Sequence, residues 1–129
     1  MKMAENPYYN MHLQTLSPGG ILEELWRYGR RQCLGAQEAL SAQRWDALAH
    51  HASALQELWA GLHDTVNSEA PGAQTLRGLY FGLWRLALRL AVEHDADALR
   101  LMQTTMDILE PLTKGRTLLN ERPETERAY

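Results

Sequence analysis

Apolar residues in this chain recur at alternating steps of four and three along separate stretches, and that period admits little besides amphipathic α-helix. The first seam is Leu22, Trp26, Gly29, Cys33, Ala36 and Leu40. Ser17-Pro18 opens it: a serine oxygen caps a helix start, and proline at the first helical position gives up an N–H that would be unpaired there anyway. The spacing suits packing at a shallow angle, and the small residues mid-seam let a neighbouring helix approach closely. After a break at 41–46 comes a second seam, Leu48, Ala52, Leu55, Trp59, Leu62 and Val66. NSEAPGA, at 67–73, gathers Asn, Ser, Pro and Gly and is the clearest loop.

The third stretch, LRGLYFGLWRLALRLAV at 76–92, has twelve apolar residues among seventeen, with Arg77, Arg85 and Arg89 between them. On a helical wheel the arginines share an arc of about 120°, and Leu76, Leu79, Tyr80, Leu83, Trp84, Leu86, Ala87, Leu90 and Ala91 fill another of about 160°. Phe81, Leu88 and Val92 fall on the arginine side. A membrane span is the weakest reading, since it needs about 20 predominantly apolar residues and a central arginine is costly there. A turn at His94-Asp95 leads to the fourth seam, Leu99, Met102, Met106 and Leu109, capped by Asp95 or Asp97. Pro111 is expected to kink or end that helix, with Gly115 supporting termination nearby. The charged tail, 115–129, is expected to lack order.

Helices of this length joined by short links run antiparallel. The expected fold is all-α: an antiparallel up-and-down four-helix bundle over 17–114, preceded by an N-terminal arm, 1–16.

The composition is that of one ordinary globular domain, 45% hydrophobic and 22% charged. A net charge of −3 gives no general electrostatic case for nucleic acid or an anionic membrane. No apolar run follows Lys2, so no secretory signal is expected, and the single cysteine fits a cytoplasmic protein. Chemistry is hard to find. No histidine has a glutamate three residues before it, no two histidines stand four apart, and His50 and His51 point about 100° apart on a helix. Cys33 lies on the first seam and reads as a small buried hydrophobe. The expectation is a protein without cofactor, metal or catalytic activity.

Trp26, Trp59 and Trp84 fall on apolar seams and read as core; Trp45, in the break before the second helix, reads as a cover for the bundle's end. Tyr8 and Tyr9 precede the first helix, in an arm that adjacent tyrosines could anchor in a groove.

These residues together resemble the flagellar secretion chaperones of the FliS family, from Asn6 to about Leu112. The resemblance rests on Asn6-Pro7-Tyr8 in the arm; on Ser17-Pro18, Ile21 and Leu25-Trp26; and on Ala36-Gln37-x-Ala39-Leu40. It continues with Leu76-x-x-Leu79-Tyr80-x-x-Leu83-Trp84-Arg85 and with Asp95 in the turn. Arg27 and Phe81 depart from it, standing where the family commonly has an acidic or amide residue. The resemblance implies a cytosolic chaperone that binds the C-terminal region of unpolymerised flagellin, blocks premature filament assembly and aids delivery to the flagellar export gate. A chaperone of the same fold for another flagellar or type III export substrate is the alternative. The client contacts so implied, joined to the apolar excess of 76–92, are Tyr8, Tyr9, Leu79, Tyr80, Phe81, Leu83, Leu88 and Val92. Neither nucleic acid nor membrane insertion is expected, and an exposed apolar groove could pair two copies as a homodimer when client is absent.

Overall fold

The computed structural model describes the backbone of residues 18–128 and the side chains of residues 20–113. Four helices make it up: α1 (Pro18–Ser41), α2 (Trp45–Asp64), α3 (Ala73–Glu93) and α4 (Ala96–Ala128). They form the expected all-α four-helix bundle. Gly29 and Gly35 of α1 meet Leu58 and His51 of α2, while Trp26 and Cys33 meet Met106 and Met102 of α4. In both pairings one number rises as the other falls, so neighbouring helices run antiparallel.

The seams pack as their spacing requires. Leu48, Ala52, Leu55, Trp59 and Leu62 of α2 are buried against Trp26, Cys33 and Ala36 of α1, and Tyr80, Leu83, Ala87 and Leu90 of α3 join them. Leu99, Met102, Met106 and Leu109 of α4 complete the core. Each fully buried leucine contributes roughly 1.5–3 kcal/mol through the area it removes from water. Trp26 and Trp59 meet edge to face, with centroids 5.6 Å apart at 71°. Gly29 lies where three helices converge: a Cβ there would stand 2.9 Å from Leu58 Cδ2 and 3.1 Å from Met106 Cε.

The helix ends follow local chemistry. Thr65 closes α2, its hydroxyl donating to the Leu62 carbonyl at 2.8 Å, so Val66 falls beyond the helix and is only half-buried. Gln43 and His94 turn the chain with positive φ, 57° and 54°, and His94 N–H donates to the Leu90 carbonyl as an αL terminus. Of the two candidate caps for α4, Asp95 fills the role: its Oδ1 accepts from the N–H groups of Asp97 at 2.9 Å and Ala98 at 3.3 Å. Ser17 lies outside the described residues.

Pro111 and Gly115 do not end the last helix, which runs on to Ala128. Proline removes one donor, but α1 holds the turn of α4 that leads into it. Trp26 Nε1–H donates to the Met106 carbonyl at 3.2 Å, and Arg30 bridges Asp107 at 2.6 Å and Glu110. Leu109 and Thr113 are buried on either side of Pro111. Tertiary packing outweighs the local preference of a single residue.

Candidate docking groove

The outer face of α3 and the adjoining face of α4 carry more apolar surface than the core consumes. Between them runs a groove lined by Gly78, Leu79, Gly82, Leu83, Leu86, Leu101 and Thr105, with Arg85 and Arg89 at its α3 rim. Leu79 is 37% exposed and Leu101 53%. Farther along α4, Ile108 and Leu112 are also exposed. Leu101, Ile108 and Leu112 are spaced i, i+7, i+11, which places them in one stripe about 17 Å long at 1.5 Å per residue.

Gly78 and Gly82 leave open space on the α3 side of this groove. A Cβ at either position would meet nothing within 4 Å, in contrast with Gly29 in the core. Glycine inside a helix costs roughly 0.5–1 kcal/mol relative to alanine, and the packing of this bundle does not require it at 78 or 82.

A second apolar strip lies on the α2 side of α3. Phe81, 51% exposed, stacks on Trp84 with centroids 5.9 Å apart and planes at 10°. Together they line a shallow hollow with Trp59, Ala60, His63 and Tyr80. Leu88 and Val92 are exposed and continue this side of the helix. The wheel angles of Arg85 and Arg89 place them between the strip and the groove.

The residues that the sequence grouped as client contacts therefore divide. Phe81, Leu88 and Val92 form the outer strip, and Leu79 edges the groove. Tyr80 and Leu83 are core residues, 5% and 1% exposed, because their wheel positions turn them toward the bundle axis. Leu83 reaches the groove only as its floor. Tyr8 and Tyr9 lie outside the described residues. The sequence reading missed Leu101, Ile108, Leu112 and the two glycines; a wheel of α4 would have separated its outward stripe from the methionine seam.

Charge is unevenly placed. Arg89 pairs with Asp95 at 2.6 Å, while Arg85 has no ion pair among the described residues. Burial alone would raise the Asp95 pKa, but the N–H groups of Ala98 and Asp97 and the Arg89 guanidinium together hold it below the ordinary carboxylate value.

Among the described residues lining the groove there is no His, Cys, Asp or Glu. Cys33 is sealed between Met102 and Met106, its Sγ 3.9 and 3.8 Å from their sulfurs, and burial pushes its thiol up to about 12. Among the described residues no three His, Cys, Asp or Glu side chains are placed to share a metal ion. Nor is any helix among them long and apolar enough to cross a membrane. The arrangement offers an open apolar groove with a cationic edge, and an apolar groove is the kind of surface on which an amphipathic helix docks. No protein-family model and no curated protein matches the chain.

Proposed function

We propose that this protein is a cytoplasmic export chaperone that holds the C-terminal region of unpolymerised flagellin, prevents premature filament assembly and delivers its client to the flagellar export gate. The observation that carries the reading is the open groove of Leu79, Leu86, Leu101 and Thr105, continued by Ile108 and Leu112 on α4. Exposed apolar area on a rigid bundle is what an amphipathic client helix needs. The resemblance of residues 6–112 to flagellar secretion chaperones supplies the identity of the client.

The mechanism is stoichiometric binding. A client segment disordered when free folds as it docks, so part of the gain from burying its apolar face offsets the cost of ordering it. While held, that face is withheld from other subunits. Dissociation at the export gate returns it unfolded and ready for passage.

Mixing the purified protein with a flagellin C-terminal fragment tests this. A 1:1 complex by size-exclusion chromatography with light scattering, together with a gain of helical circular dichroism over the sum of the parts, is the expected result. Two separate peaks with additive spectra would refute the proposal.

A further inference from the structure

We infer that the groove selects, among amphipathic helices, one that carries carboxylates along the edge facing α3, with Arg85 as the residue that reads them. The inference rests on the proposed docking function and adds the charge and rotational setting of the partner. The chain as a whole is acidic, with 16 Asp and Glu against 13 Lys and Arg, yet among the described residues the charged side chains lining the groove are Arg85 and Arg89. Both belong to α3, whereas α4 contributes uncharged Leu101 and Thr105. A helix lying between these walls meets positive charge along its α3 edge and, among the described lining residues, uncharged side chains along α4.

The two arginines are not equivalent. Arg89 is held by Asp95 at 2.6 Å, so its charge is already answered within the fold. Arg85 stands one turn earlier on the same helix, exposed and with no ion pair among the described residues. A partner carboxylate against it would form a charge-assisted hydrogen bond beside apolar surface, where water screens it less than at an open site. With no side chain at Gly78 or Gly82, a docked backbone can approach α3 closely beside Arg85. Edge charge of this kind favours one setting of the partner over its mirror arrangement and raises the rate of encounter.

Two synthetic 20-residue amphipathic peptides test the inference. They share one leucine face and differ only along one edge, which carries glutamate in the first and glutamine in the second. Affinities are measured by fluorescence anisotropy against the full chain, its Arg85→Glu and Gly82→Leu variants, and Arg77→Glu as a control on α3 outside the groove. The glutamate peptide should bind about fivefold more tightly, a preference that 0.5 M salt shrinks, that Arg85→Glu reverses and that Arg77→Glu leaves largely intact. Equal affinity of the two peptides, with both lost on Gly82→Leu, would overturn the charge selection while leaving docking in place. No binding of either peptide would overturn both, and circular dichroism of each variant confirms that the bundle is folded.

Discussion

The indole of Trp45 lies flat against the imidazole of His94, with ring centroids 4.2 Å apart and planes within 5°. The first residue of α2 thereby covers the residue that terminates α3, at the end of the bundle where Asp95 also starts α4. His94 holds φ at 54°, a conformation that costs a non-glycine residue about 1 kcal/mol, while an aromatic pair returns roughly 0.5–1.5 kcal/mol. The stack offsets the strain. His94→Gly should therefore change stability by less than about 0.5 kcal/mol in the native chain, but raise it by about 1 kcal/mol in a Trp45→Ala background. Equal effects in the two backgrounds, measured by urea unfolding, would dissolve the link.

Glycines of the core and of the groove should respond oppositely to alanine. At Gly29 the added methyl meets Leu58 and Met106, and overpacking of about 1–3 kcal/mol exceeds the helix-propensity gain of about 1 kcal/mol. At Gly82 it meets nothing, so the gain of about 0.5–1 kcal/mol remains. Thermal melts should fall for Gly29→Ala and rise for Gly82→Ala. A fall at both positions would mean that the groove is filled by the protein's own packing.

His51 makes stability depend on pH. Its ring is hydrogen-bonded to Gln32 Oε1 at 2.7 Å and wedged over Gly35, where a Cβ would come within 2.5 Å of it. Burial first, then the charge of His50, lowers its pKa from 6.5, against the pull of Glu38. The unfolded chain therefore takes up a proton before the folded one does. Stability falls as pH drops below 6.5, and that loss is complete below the folded-state pKa. Gly35→Ala should expel the ring and return its titration toward 6.5, followed by nuclear magnetic resonance. An unshifted titration would show that the wedge does not set the value.

The interior was the most legible part of the chain. Trp26, Cys33, Leu55, Trp59, Leu83, Met102 and Met106 are buried where a 3–4 spacing puts them, because burying a helix's apolar face leaves it little choice of rotation. What the pattern could not supply depends on neighbours. The helix continues through Pro111 with Leu109 and Thr113 buried on either side of it, and that burial depends on the neighbouring helices. The burial of Ala54 and Leu58, off the α2 seam, follows from packing on both sides of that helix. Gly78 and Gly82 look like Gly29 in sequence, and only the distance to other atoms separates them.

Phe81 tests the outer strip. It is half-exposed and rests on Trp84, so Phe81→Ala should cost less than about 1 kcal/mol of stability. An aromatic anchor in an interface costs about 2 kcal/mol or more when truncated, so binding of a flagellin C-terminal fragment should weaken at least about tenfold. Unchanged binding in calorimetric titration, with the fold intact, would confine the client to the α3–α4 groove.

The central claim is that the groove lined by Gly78 and Gly82 receives the client helix, and Gly82→Leu addresses it with one side chain. A Cβ at that position would meet nothing within 4 Å, so the variant should fold with native helicity and an undiminished melting temperature. Calorimetric titration with a flagellin C-terminal fragment should give one-site binding to the native protein with a negative heat-capacity change. The same titration into Gly82→Leu should show affinity reduced at least about tenfold. Equal binding by the two folded proteins, or binding by neither, would contradict the account.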